Sequence, residues 1–191
     1  HNANIHYLAR RSISEVCTQR DIIVLPEIYT QKNPGNCSCV IFNQGPYLSF
    51  RDWGIKVRIK HPYKQPNIKA IVTASYDTLQ YIKLFKLAIP VFRIRLGIDE
   101  RIFKFPANSK KIAKICYVRK KNYKDIEQVF QLLLLRRDHN FIDKYELKAI
   151  NNISELSVAR NLLESKIFLN FTVQEGFSLP VAEAMACGCV V

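Results

Sequence analysis

Residues 68–96 read I-K-A-I-V-T-A-S-Y-D-T-L-Q-Y-I-K-L-F-K-L-A-I-P-V-F-R-I-R-L, and this stretch decides the fold class. Ile68 to Thr73 is a short apolar run rich in β-branched residues, the pattern of a strand covered on both faces. Ser75 or Asp77 then caps a helix that carries Leu79, Ile82 and Phe85. Pro90 ends that segment, because proline has no N–H with which to continue a helix, and Val91 to Leu96 is apolar again. Strand, helix and strand in this order predict a βαβ unit with parallel strands.

The pattern extends in both directions. Upstream, Asp21-Ile-Ile-Val-Leu-Pro26 and Cys39-Val-Ile-Phe42 repeat the short apolar run. Downstream, the periodicity lapses between Gly97 and Ser109, where Gly, Pro, Asn and Ser mark a connection with no face to bury. Beyond it, Lys111 to Val118 reads as a strand. Ile126, Val129, Phe130, Leu133 and Leu134 then fall at i, i+3, i+4, i+7 and i+8, an amphipathic helix. Glu146 to Ile150 reads as a strand, Ser154 caps a helix through Glu164, and Lys166 to Phe171 is the next strand. The expected fold class is α/β, with two parallel sheets, both incomplete. The expected divisions are 1–98, a connection at 99–109, and 110–191. The start at His1 and the stop at Val190-Val191, where a strand begins, read as the ends of a fragment.

At 191 residues, 48% hydrophobic and 24% charged, with six glycines and eight prolines, the composition excludes collagen-like and low-complexity chains. The net charge of +13 predicts an anionic partner. It is unevenly placed: residues 1–124 hold 23 Lys and Arg against 7 Asp and Glu, whereas 125–191 hold 6 against 9. The densest run is Lys104, Lys110, Lys111, Lys114, Arg119, Lys120, Lys121 and Lys124, which reads equally as a solvated rim or an anion site. No apolar run approaches the ~20 residues that a spanning helix needs. Six cysteines include the pairs Cys37/Cys39 and Cys187/Cys189, whose C-x-C spacing is not that of a zinc ribbon. Buried free thiols in a reducing cytoplasm are the better account, with no metal.

In an open α/β sheet, ligands bind outside the carboxyl ends of the strands, so the loops after Val118 and Phe171 are where chemistry is expected. The second of these, residues 174–189, reads Q-E-G-F-S-L-P-V-A-E-A-M-A-C-G-C. Pro180 suits a first helical turn and Gly188 a left-handed stop, so Leu179 to Cys187 is a short helix. Gly176, Phe177, Ser178 and Leu179 then present backbone N–H groups at its positive end, a cradle for an anion. Glu175 and Glu183 flank the cradle. They repel a phosphate and make sense as acceptors for neutral hydroxyls beside it. A phosphate between two hydroxyl-binding acids describes a nucleotide sugar.

The string E-G-F-S-L-P-V-A-E-A-M-A-C-G closely resembles the E-x7-E signature of family 4 retaining glycosyltransferases, which have the two-domain GT-B fold. Gly97-Ile-Asp99 resembles the G-[VI]-D that closes the amino-terminal domain of that family. The resemblance covers roughly residues 90–191 in motifs and the remainder in architecture, two Rossmann-like domains. It implies that Glu175 contacts the donor sugar and acts in catalysis, that Glu183 holds the ribose hydroxyls, and that the Gly176 to Leu179 backbone lies at the sugar and diphosphate. It also implies an Arg and a following Lys on the diphosphate, for which C-Y-V-R-K-K-N-Y-K offers Arg119 and Lys124, although Val118 stands where the family has Gly. Fixed cations there lower the barrier as the leaving diphosphate gains charge. Donor binding then needs no cofactor beyond the nucleotide-sugar substrate.

Many family members use a histidine of the amino-terminal domain near the reacting sugar. At the strand end where it is expected this chain has Asn43-Gln44, and His6 and His61 read as surface residues. The acceptor is unspecified, a saccharide or lipid-linked molecule. The amino-terminal positive charge suits an acidic membrane surface, giving a cytoplasmic protein with a peripheral membrane position open. Two other readings are weighed beside this one. A nucleic-acid-binding module is suggested by cations interleaved with Tyr47, Phe50, Trp53 and Tyr63, but no nucleic-acid-binding motif occurs. An inactive fragment binding donor weakly is the other, since a cleft enzyme needs both walls.

Overall fold

The computed structural model of the protein describes residues 13–50, 61–105, 110–119, 122–136, 144–173 and 175–191. His6, Trp53, Lys120, Lys121, Gln174 and positions 106–109 of the expected connection lie outside the described residues. The chain divides into two compact units, His1–Leu96 with Gln174–Phe177, and Gly97–Val173 with Ser178–Val191.

The first unit begins with a single helical turn, α1 (Ile13–Val16), followed by β1 (Ile22–Pro26), β2 (Ser38–Asn43), β3 (Ile68–Thr73), α2 (Tyr76–Lys83) and β4 (Val91–Arg93). The strands form one parallel sheet in the order β1-β2-β3-β4. Leu25 pairs with Ile41, and Ile41 with Ile71. These side chains share a face and form the core with Cys39, Tyr63, Ile68 and Ile82. Side-chain alternation along a strand dictates this: buried positions recur every second residue in β2. The expectation that β1 is covered on both faces is corrected, since Ile22 and Val24 are exposed; β1 is an edge strand with one covered face.

Between the two candidate caps of α2, the structure selects Ser75, whose hydroxyl accepts from the Thr78 N–H at 3.0 Å. The helix stops at Lys83, earlier than its apolar period suggests, because Lys86 turns the chain through a left-handed conformation (φ 50°). Phe85 therefore packs among Phe50, His61, Tyr63 and Tyr81 instead of extending the helical face. The final apolar stretch pairs only over Val91–Arg93.

The second unit contains β5 (Ile112–Val118), α3 (Tyr123–Leu135), β6 (Glu146–Ile150), α4 (Glu155–Glu164), β7 (Ser165–Leu169) and α5 (Leu179–Ala186). Its sheet is parallel in the order β6-β5-β7, and Val190 returns beside Ile167 as a parallel bridge. Ser154 caps α4 by accepting from the Ser157 N–H. Gly188 adopts φ 75° at the end of α5, the left-handed stop that its sequence predicts. A side chain there would meet the ring of Phe105 at 2.8 Å.

The connection does bury a face, contrary to its irregular sequence. Phe103 is 3% exposed in the second core, with Ile98 and Ile102 packed against the same cluster. A turn anchors it: the Asp99 carbonyl accepts from the N–H groups of Ile102 and Phe103. The Asp99 carboxylate takes two hydrogen bonds from the Arg101 guanidinium, which hold its pKa down at about 2. The lapse in periodicity hid this because one large aromatic supplies most of the burial.

All six cysteines are free, Cys17 half-buried and the others buried. Burial pushes the thiols of Cys39 and Cys187 up to about 11, which keeps them protonated. Among the described residues no His, Cys, Asp or Glu cluster is placed to hold a metal ion, and no helix is long and apolar enough to cross a membrane.

Candidate functional site

In the second unit, β5 is the middle strand and β7 its neighbour, so the loops after Val118 and Leu169 leave the same edge side by side. Asn122 ties them together. It stands in the left-handed region (φ 53°), where its short polar side chain is tolerated, and donates from Nδ2 to the Phe171 carbonyl at 2.5 Å. Arg119 follows β5 directly and is exposed, and Lys124 is exposed in the first turn of α3. These are the two cations that the sequence assigns to a diphosphate, and both are solvent-facing at the carboxyl edge.

The rest of the basic run behaves differently. Lys111 Nζ donates to the carbonyls of Leu162 (3.1 Å), Leu163 (3.3 Å) and Ser165 (2.6 Å), which satisfies the last turn of α4 with a cation. Lys114 is 5% exposed and pairs with Glu164 at 2.6 Å and Glu146 at 3.7 Å. Its pairing with Glu164 raises its pKa, so it stays charged. Both belong to the amino edge and hold the fold, their charges taken up by carbonyls and by the Glu146 and Glu164 carboxylates of the chain itself. A linear count of lysines cannot separate them from Arg119 and Lys124, since strand register decides which edge each reaches.

The helix after β7 forms as the sequence predicts, with Pro180 in its first turn. Ser178 is its N-cap by position, yet its side chain makes no capping bond, and Ser178 Oγ is buried without a hydrogen-bond partner among the described residues. The first-turn N–H groups of a helix have no partner within the helix. Leu179 is exposed, and Glu183 is half-buried one turn further on. Burial raises the Glu183 pKa, and the nearby Glu155 carboxylate raises it further. A partly desolvated carboxylate of this kind accepts strongly from a hydroxyl.

Glu175 to Phe177 belong to the first unit. Glu175 is half-buried and Phe177 exposed. Gly176 is packed so closely that a Cβ would collide with the Gln44 carbonyl and Thr78 Oγ1, which explains why glycine stands there. Gln44 immediately follows β2 and Thr78 lies in the first turn of α2, so this segment sits at the carboxyl edge of the first sheet.

That edge holds a polar layer that sequence reasoning missed. One step beyond the Leu25, Ile41 and Ile71 layer, on the same face, come Asn43 and Thr73, and Glu27 follows the end of β1 directly; each is 3% exposed or less. Asn43 Nδ2 donates to Ser49 Oγ and Tyr63 Oη, both at 2.6 Å. The only signal available was the period itself: continuing the alternation of β1 and β2 by two residues reaches Glu27 and Asn43.

His61 is not a surface residue. It is half-buried, its Nδ1 accepts from the Tyr63 N–H at 3.3 Å, and its ring packs on Phe50, Tyr63 and Phe85. Burial lowers its pKa and Lys64 adds to the effect. Of the aromatics suggested as stacking platforms, Tyr63 is 1% exposed and so committed to the core, while Phe50 packs on Phe85 with part of its surface exposed. Tyr47, exposed, remains outward.

No protein-family model matches the sequence, and a search of curated proteins finds no match. Solved structures are similar in fold. TarM matches with a TM-score of 0.57 at 13% identity over 95% of this chain and 41% of that chain. A UDP-forming α,α-trehalose-phosphate synthase from Burkholderia xenovorans matches with a TM-score of 0.57 at 12% identity, over 92% of this chain and 58% of that one. The pneumococcal O-GlcNAc transferase GtfA, in complex with UDP and GlcNAc, matches with a TM-score of 0.52 at 11% identity over 92% and 42%. These neighbours are GT-B glycosyltransferases. The chain has the α/β architecture of that fold class, with two incomplete Rossmann-like parallel sheets, and spans between about two fifths and three fifths of their length.

Proposed function

We propose that this chain is part of a retaining glycosyltransferase of family 4 type, which moves a sugar from a nucleotide-diphosphate donor to an acceptor. The observation that carries the reading is the carboxyl edge of the second sheet. There the E-x7-E string supplies a helix start with an unpartnered buried hydroxyl, Ser178, while Asn122 ties the Arg119–Lys124 loop to the chain leaving β7. The first-turn N–H groups of α5 and the two exposed cations suit a diphosphate, and Glu183 suits the ribose hydroxyls. Glu175 is assigned to the donor sugar, with Gly176 to Leu179 beside it.

In this reading the bond between the anomeric carbon and the diphosphate oxygen breaks while an acceptor hydroxyl attacks the same carbon and gives up its proton to the departing diphosphate. Charge develops on the diphosphate, and Arg119, Lys124 and the α5 N-terminus offset it without having to reorganise. Burial of Tyr63 removes one of the aromatics on which the nucleic-acid reading drew. The pneumococcal O-GlcNAc transferase of similar fold is seen in complex with UDP and GlcNAc, which makes uridine nucleotides the first donors to test.

The test is a thermal-shift panel of UDP, GDP and their sugars on the full-length protein, followed by transfer assays. One nucleotide class should stabilise the protein, as mass action requires of a ligand that binds only the folded state. Glu183→Ala and Glu175→Ala should each lower kcat/KM by about a hundredfold or more, from the loss of charged hydrogen bonds of ~1.5–3 kcal/mol each. Wild-type rates in both variants would defeat the assignment.

A further inference from the structure

The amino edge of the first sheet brings two thiols together. Cys17 follows α1 and Cys37 stands immediately before β2, and the Cys37 thiol is in hydrogen-bonding contact with that of Cys17. Both are free, Cys17 half-buried and Cys37 3% exposed. Cys39, two residues along, is 0% exposed and committed to the core with Leu25, Ile41 and Ile71.

Bonds on both sides anchor the contact. Asn36, beside Cys37, donates from Nδ2 to the carbonyls of Cys17 at 2.9 Å and Ser14 at 3.2 Å. The Cys17 N–H donates to the Ile13 carbonyl at 3.0 Å. The Asp21 carboxylate fixes the turn that follows, accepting from the Thr18 N–H and hydroxyl, both at 2.8 Å. On the other segment, the Cys37 carbonyl accepts from Asn67 Nδ2 at 2.9 Å. A disulfide needs Cα atoms within ~7 Å and Cβ atoms turned toward each other. Thiols already in contact on anchored backbones need little more than side-chain rotation to reach bonding distance.

We infer that Cys17 and Cys37 are a site of reversible oxidation, closing to a disulfide that clasps the α1 turn to the start of β2. With oxidised glutathione as the oxidant, the Cys17 thiolate attacks one sulfur of the glutathione disulfide, and the other glutathione leaves as a thiolate that takes up a proton. Cys37 then gives up its proton and attacks the Cys17 sulfur of the mixed disulfide, which releases the second glutathione. The protein loses two hydrogens, and one glutathione disulfide becomes two thiols. Cys17 is the entry point because it is the more exposed of the pair. Burial, and after it the Cys17 thiol and the Asp21 carboxylate, raises the Cys37 pKa, so Cys37 stays protonated until it resolves the mixed disulfide. The bridge encloses β1 and the Glu27–Lys32 turn, so closing it restricts the unfolded chain and stabilises the first unit. The pair lies at the opposite edge of that sheet from Gly176, and the inference does not depend on the transferase reading.

Peptide mapping of the native full-length protein tests it. After incubation with oxidised glutathione, the remaining thiols are blocked with a maleimide and the peptides are weighed by mass spectrometry. Those carrying Cys17 and Cys37 should appear joined, lighter than their sum by two hydrogens, and dithiothreitol should separate them. The oxidised protein should melt about 5 °C or more above the reduced protein. Cys17→Ser should show neither the joined peptides nor the shift, with the folded circular dichroism spectrum retained. Should that variant not fold, the mapping and melting of the parent protein decide by themselves. Peptides that stay separate, a glutathione adduct that remains on Cys17, Cys37 joined to Cys39, or equal melting of the two forms would each overturn the inference.

Discussion

The two sheets place their buried polar groups at opposite ends. In the first unit they gather at the carboxyl edge, where Glu27, Asn43, Ser49, Tyr63 and Thr73 are buried and Asn43, Ser49 and Tyr63 are joined through side chains. In the second they gather at the amino edge, where Lys111 closes the end of α4 and Lys114 pairs with two glutamates. The second unit's carboxyl edge carries exposed cations and an uncapped helix start instead. Strands of the same class thus end in different chemistry. An edge locked by internal pairs supports the fold, whereas an edge that keeps unanswered groups is able to meet a ligand.

Three perturbations test that contrast. The largest effect is expected from Gly176→Ala, whose Cβ would run into the Gln44 carbonyl and Thr78. Displacing backbone costs about 1–3 kcal/mol. Hydrogen exchange should accelerate through β2 and the start of α2 and stay unchanged in β5 and β7; uniform acceleration would show that the contrast does not hold. Lys114→Ala comes next. It removes a buried cation from two partly exposed carboxylates, at about 1–2 kcal/mol, and should loosen β5 and α4 without altering nucleotide binding. A lost nucleotide affinity would place Lys114 in the site after all.

The smallest effect concerns pH. Burial raises the Glu27 pKa above its ordinary 4.5, so the folded state holds that proton more tightly than the unfolded state does. The contribution of Glu27 to stability is therefore full below the ordinary carboxylate value and is lost as pH rises through the raised value. Denaturant titrations between pH 4 and pH 8 should show Glu27→Gln gaining stability relative to the parent across that window. A flat difference would show that Glu27 is ionised with no penalty.

Much of the local backbone at the candidate site was legible because it depends on local chemistry. The α5 start, with Pro180 and the Gly188 stop, follows from backbone preferences that act within a few residues, and the cap at Ser154 is of the same kind. Ser75 and Asp77 were indistinguishable until the hydroxyl bond to the Thr78 N–H was seen. Phe103, His61 and Tyr63 were misread for one reason: each is buried by contacts with distant segments, and nothing in its own neighbourhood marks it as core.

The sequence by itself determined that the chain builds parallel α/β sheets and that the E-x7-E string sits on a loop leading into a short helix, since periodicity and turn chemistry are properties of neighbouring residues. Only the tertiary structure decided which lysines of the basic run face inward, why position 176 must be glycine, and that Glu27 and Asn43 share a buried layer. Those facts depend on strand register and on packing between segments far apart in the chain, where a shift of one residue would turn every side chain to the other face.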